Sequence, residues 1–174
     1  MKTMKPDTSK QLVHIKTARA FLEKIVVNAG VGRASQAAQF EEKVLPQITR
    51  DLAAITGQKP EVRPAKKSIA GFKMREGQIV GTRITLRGKK AVDFFERLIT
   101  IVIPRVRDFT GIDPHTIDTH GILNIGFKEQ YVFPEINPEE SIMTFPLGIN
   151  IVPREKKRPA ALEAYRALGV PLKK

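Results

Sequence analysis

The sequence predicts an α+β fold, a single domain in which helices pack on one face of a largely antiparallel sheet. Three observations carry that expectation. Apolar and polar residues alternate strictly in "GTRITLRG" and "LNIGFKEQ", the period of half-buried strands. Apolar residues recur at helical spacing in the segments between and after the strands. Several connections are too short for the crossover that a parallel strand pair requires. A chain of 174 residues with 41% hydrophobic residues suffices for one core.

Taken in order, residues 1 to about 20 read as a basic N-terminal arm or short helix, and "FLEKIVVN", Phe21 to Asn28, as a strand ended by "AGVG". A helix is expected from about Ser35, because Phe40, Val44, Ile48, Leu52 and Ile55 share helical spacing and Gly57 supplies a stop. Pro46 is expected to kink that helix or sit in its first turns. "KPEVRPAKKS", with two prolines, suits a short edge strand. In the following strand Thr82, Ile84 and Leu86 face the core, while Arg83, Thr85 and Arg87 face solvent. "KKAVDFFERLITIVIPRV" reads as a helix closed by Pro104, buried along Val92, Phe95, Leu98, Ile99 and Val102. "LNIGFKEQ" should turn Leu123, Ile125 and Phe127 inward and Asn124, Lys128 and Gln130 outward. A last apolar strand, about Leu147 to Val152, precedes a helix that begins near Pro159 and ends at Gly169.

The formal charge is +12, from 30 basic and 18 acidic residues, which points to a polyanionic partner. Most of it is local. Lys59 to Lys90 holds ten basic residues against Glu61 and Glu76, a net +8. Charge concentrated in one loop and strand makes a patch able to displace counterions from nucleic acid. Within it, residues 65–78 read as a basic mobile loop, in which Gly71 and Gly77 permit bending. Phe72 and Met74 in that loop either stack on a base or pin the loop to the domain. Cysteine is absent, so thiolate and disulfide chemistry is excluded. No leader-like apolar segment or long apolar run occurs, and the chain reads as soluble and cytoplasmic.

Two motifs suggest small ligands. "GVGRAS" has the first half of a dinucleotide-binding glycine pattern, but Ser35 stands at the third glycine position, so a tight turn is the better reading. "DPHTIDTH" places Asp113, His115, Asp118 and His120 together without a standard zinc spacing, and reads as a turn. Neither a metal nor another cofactor is expected. Ser68 and Ser141 lack a nucleophile's context, and no carboxylate pair is recognisable, so the expectation is a protein that is not an enzyme. The competing readings are a small nucleotide-dependent enzyme using "GVGRAS" and a non-specific RNA chaperone.

The ordered series "LEKIVVNAGVG", "ITGQKPEVRPAKKSIAGFKMREG", "TLRG", "FFERLITIVIPRVRDFTGI" and "GFKEQYVFPEI" closely resembles the bacterial-type large-subunit ribosomal protein L-five family, which binds 5S rRNA. The resemblance runs from about Leu22 to Ile136 and implies a five-stranded antiparallel sheet with helices on one face. It implies a structural role in the central protuberance, where the family ties 5S rRNA to the large-subunit rRNA. The family positions that approach 5S rRNA correspond to Asn28, Gln58 and Thr85, and the charge pattern adds Arg83 and Arg87. Asn and Gln side chains both donate and accept, and a Thr hydroxyl suits a ribose or phosphate. The family's long loop corresponds to about Ala65 to Gln78 and would reach P-site tRNA, offering Lys66, Lys67, Ser68, Phe72, Lys73 and Arg75. The resemblance also implies that a surface near Thr110 to Gly121 meets a protein of the small-subunit head across an intersubunit bridge. "REKKRP", near the C-terminus, departs from the family pattern.

Overall fold

The computed structural model describes residues 17–36 and 39–173; most of the N-terminal arm lies outside them, and residues 17–21 are helical. Five strands follow in the chain: β1 (Leu22–Gly30), β2 (Glu61–Pro64), β3 (Ile79–Leu86), β4 (Leu123–Phe127) and β5 (Leu147–Pro153). The α-helices after β1 are α1 (Leu45–Thr56), α2 (Gly88–Arg97) and α3 (Arg158–Ala167). The strands form one sheet in the order β2-β3-β1-β5-β4, and every neighbouring pair is antiparallel. The α+β expectation holds. β2, whose last residue is Pro64, lies at an edge, where a missing N–H costs least.

One face of this sheet builds the core. Ile25 and Val27 of β1, Ile84 and Leu86 of β3, and Ile149 and Ile151 of β5 cluster with Ile48, Leu52 and Ile55, Phe94 and Phe95, and Ala161 and Tyr165 of the three helices. Thr82 is buried as expected, and Ile99 is only half-buried.

The first long helix starts later than its spacing implies. Residues Ala34–Gln36 make a 3-10 turn, Phe40–Val44 a π-type stretch, and only Leu45–Thr56 an α-helix. A second π-type stretch, Leu98–Val102, continues α2 into the 3-10 turn Ile103–Arg105. Each π stretch shortly precedes a proline, Pro46 and Pro104. Proline has no N–H and its ring crowds the carbonyl four residues back, so a wider turn at that point keeps the helix running. Gly57 closes α1 in the left-handed region, φ 65°, with its N–H on the Ala53 carbonyl at 2.8 Å.

Gln130 departs from expectation. It is fully buried and lies in a 3-10 turn, not on the open side of a strand. β4 ends at Phe127, so the alternation of "LNIGFKEQ" stops applying three residues before Gln130.

The last helix is tied down by Tyr165. Its buried hydroxyl lies 3.0 Å from the Gly121 carbonyl and 3.1 Å from that of Ile151, and Phe21 meets its ring edge-on at 5.0 Å. Burial pushes the phenol well above its ordinary pKa of 10.0, so the folded protein keeps the proton. Tyr165→Phe is expected to cost about 1–2 kcal/mol at neutral pH, measured by urea unfolding. The stabilisation from this group is complete below the unfolded pKa of 10.0 and is lost as pH rises above it, because the unfolded chain ionises first. The gap between wild type and variant should therefore narrow above that pH.

Candidate nucleic-acid interface

The sheet face opposite the helices is where the charged and amide side chains converge. Residues directly opposite in a register share a face, so one row crosses all five strands as Glu61, Arg83, Asn28, Gly148 and Gly126. The next row is Thr85, Val26, Asn150 and Asn124. Arg83, Asn28 and Asn124 are exposed, and Thr85 is half-buried. Asn28, Gly30, Gly126, Lys128 and Gly148 line a shallow trough in this face. The Asn28 carboxamide lies across Gly148, where an added Cβ would come within 2.5 Å of Asn28 Oδ1. Glycine is what lets that side chain lie flat.

Gln58 reaches β3 from the turn after α1. Its Nε2 points at the Thr85 carbonyl from 3.5 Å, the limit of a hydrogen bond. The turn that carries it is held from several sides. Arg97 Nη2 donates to the Ile55 carbonyl at 2.9 Å, Lys90 Nζ to the Gly57 carbonyl at 3.1 Å, and the Gln58 N–H to Thr56 Oγ1 at 3.3 Å. Cations at a helix C-terminus are favourably placed. Lys90, one of the ten clustered cations, is thereby engaged in the fold. Arg87 is exposed where β3 passes into α2.

Residues 65–78 form a second group, joined to the domain by a hairpin. The Ala65 N–H donates to the Gln78 carbonyl at 2.8 Å, and Ile69 and Met74 exchange bonds of 2.9 and 3.1 Å. Gln78 Nε2 donates to Ser35 Oγ at 2.9 Å, and Gln36 Nε2 to the Phe72 carbonyl at 3.1 Å. Ser68 Oγ accepts the Glu76 N–H at 2.9 Å, which leaves its own O–H to donate. Lys66, Lys67, Ser68, Lys73 and Arg75 are exposed. Phe72 is 73% exposed, so most of its ring is open to solvent, whereas Met74 is half-buried. Both line a groove with Arg33 and Lys73.

Comparison with known proteins agrees with this architecture. Residues 18–75 match the family model described as ribosomal protein L5, and residues 79–172 match the model of the same ribosomal family's C-terminus. The chain belongs to the ribosomal protein L5 family. It is 48% identical over 152 residues to a large ribosomal subunit protein uL5 from Rubrobacter xylanophilus, covering 87% of this chain and 82% of the relative. A protein of the same name from Pseudothermotoga lettingae is 44% identical over 153 residues, 88% of this chain and 81% of the relative. The family is one of ribosomal proteins of the large subunit, structural proteins rather than enzymes.

Within this L5-family fold the two motifs that suggested small ligands have structural partners. Ser35 Oγ, in "GVGRAS", donates to the Gly32 carbonyl at 3.0 Å and accepts from Gln78, so it ties the turn to the loop. In "DPHTIDTH", Asp113 accepts the His115 N–H at 2.8 Å, and Asp118 accepts those of His120 and Ile122 at 2.9 and 2.8 Å. These are Asx turns. Among the described residues no group of three or more His, Cys, Asp or Glu side chains is placed to hold a metal, and no helix is long and apolar enough to cross a membrane.

β1 runs on to Gly30, so Asn28 sits inside the strand rather than at its end, and its amide bonds to a side chain, that of Asn150. Asn150 and Gly148 escape a reading of the last strand as simply apolar. The alternation of "LGINIV" was the available signal, since it puts both on the face away from Ile149 and Ile151.

Proposed function

We propose that this protein is a structural constituent of the large ribosomal subunit, in the cytoplasmic ribosome, whose open sheet face binds 5S rRNA. The observation that carries the reading is the register that sets Arg83 directly beside Asn28, with Thr85 adjoining, on one helix-free face, while Gln58 reaches the Thr85 backbone carbonyl from the end of α1. Guanidinium groups meet phosphates, while amides and hydroxyls meet ribose and base edges, which is the chemistry of RNA bound by shape and contacts to its sugars. In this reading the protein helps attach 5S rRNA in the central protuberance beside the large-subunit rRNA. The loop of residues 65–78 reaches P-site tRNA with Lys66, Lys67, Ser68, Lys73 and Arg75, and the exposed Phe72 offers a ring for stacking. The segment from Thr110 to Gly121 faces a protein of the small-subunit head across an intersubunit bridge.

Filter binding tests the reading. 5S rRNA should bind tighter than a random RNA of equal length at the same salt; equal affinity would leave only non-specific, chaperone-like binding. Arg83→Ala should weaken binding by about tenfold and lower the slope of log K against log salt by roughly 0.7–0.9. Thr85→Ala should weaken binding without changing that slope. An unchanged slope for Arg83→Ala would remove Arg83 from the phosphate contacts.

A further inference from the structure

Three asparagines on neighbouring strands are joined side chain to side chain across the open face. Asn28 Nδ2 donates to Asn150 Oδ1 at 3.0 Å, Asn150 Nδ2 donates to Asn124 Oδ1, and Asn124 Nδ2 donates to the backbone carbonyls of Thr116 and Ile122 at 3.2 and 3.4 Å. The direction of this ladder is dictated by its end. A backbone carbonyl accepts only, so Asn124 must turn its NH2 to it and its oxygen to Asn150; Asn150 must then do the same towards Asn28. Each amide thus polarises the next in one sense.

The consequence falls on Asn28. One of its two Nδ2 hydrogens goes to Asn150, and its Oδ1, at the far end of the ladder, has no donor among the described residues. That oxygen lies over Gly148 at the exposed trough, with Arg83 as its cross-strand neighbour. A phosphate oxygen, itself only an acceptor, would be repelled by it and drawn to Arg83 instead. We propose that Asn150 and Asn124 are positioning residues that hold the Asn28 carboxamide with its NH2 on Asn150 and its oxygen unpaired over Gly148 in the trough, so that it accepts from a donor on the bound nucleotide, a ribose 2′-hydroxyl or a base N–H. This rests on the sheet face binding 5S rRNA.

A double-mutant cycle on 5S rRNA binding decides it. Asn28→Ala and Asn150→Leu should each weaken binding roughly three- to tenfold, since each removes one oriented hydrogen bond. The double variant should bind no worse than Asn28→Ala alone, and the salt slope should stay at the wild-type value. Gly148→Ala, whose added methyl displaces the carboxamide, should reproduce the Asn28→Ala loss. Additive losses, a neutral Asn150→Leu, or a slope lowered by about 0.7–0.9 would overturn the proposal. Interference mapping with 2′-deoxy nucleotides separates the two donors: a position that interferes for wild type but not for Asn28→Ala identifies a 2′-hydroxyl, and none with the cycle intact assigns a base N–H. Should wild type show no preference for 5S rRNA, the functional reading fails by itself. The ladder is then read from the Asn28 side-chain NH2 resonances, which must shift in Asn150→Leu and in Asn124→Ala, and would refute the locking if they did not.

Discussion

Gly121→Ala is expected to lower stability by about 3 kcal/mol, read as a fall in the urea midpoint at unchanged slope. Two independent costs coincide at this position. Gly121 has φ 75°, in the left-handed region that an L side chain adopts at a cost of about 1–2 kcal/mol. Its new Cβ would also stand 2.7 Å from Ala161 Cβ and 3.2 Å from the Glu155 carbonyl oxygen. Ala161 is a fully buried residue of α3 and cannot rotate away, so the helix itself must shift. That shift would loosen the bond from the Tyr165 hydroxyl to the Gly121 carbonyl, now 3.0 Å. A loss below about 1 kcal/mol would mean that α3 docks with far more slack than a close-packed interior allows.

Gln130→Leu is the second large effect, about 2–3 kcal/mol in the same measurement. Leucine nearly preserves volume, so the loss comes from polar groups rather than from a cavity. Gln130 Oε1 accepts the buried Phe145 N–H at 2.9 Å, and its Nε2 donates to the Met143 carbonyl at 3.0 Å. The substitution leaves the Phe145 N–H dry and unpaired. The Met143 carbonyl keeps a second donor, Gln47 Nε2 at 3.1 Å, while Gln47 Oε1 accepts the Ile142 and Met143 N–H groups at 3.0 and 3.1 Å. Two buried glutamines therefore hold the extended segment that feeds β5, the strand carrying Gly148 and Asn150 between β1 and β4. Gln47→Leu should cost less, because the Ile142 and Met143 N–H groups it releases are only partly buried and can turn to water. A change under about 0.5 kcal/mol for Gln130→Leu would show that the segment finds other partners.

Much of this was legible along the chain. Alternation in "GTRITLRG" assigns Arg83 and Thr85 to one face and Ile84 and Leu86 to the other, and the structure agrees. Helical spacing finds Ile48, Leu52 and Ile55, all buried. It misplaces the start of that helix, because spacing is insensitive to whether a turn is π, 3-10 or α. Strand alternation likewise misplaces Gln130, because it carries no mark for where a strand stops. The buried glutamines are invisible to both patterns for another reason: a polar residue is buried only where distant backbone groups meet it, as Phe145 and Met143 meet Gln130.

Strand identity, the concentration of positive charge and the ordered motifs of the L5 family were therefore determined by the sequence alone. Which strands lie side by side was decided by the tertiary structure. Alternation says which face a residue takes, never which strand is its neighbour, since that choice is made by non-local packing of the whole sheet. The order β2-β3-β1-β5-β4 puts Asn28 beside Arg83 on one flank and, through a partner 122 residues away, Asn150, on the other. That adjacency makes an ordinary asparagine the end of a directed amide ladder.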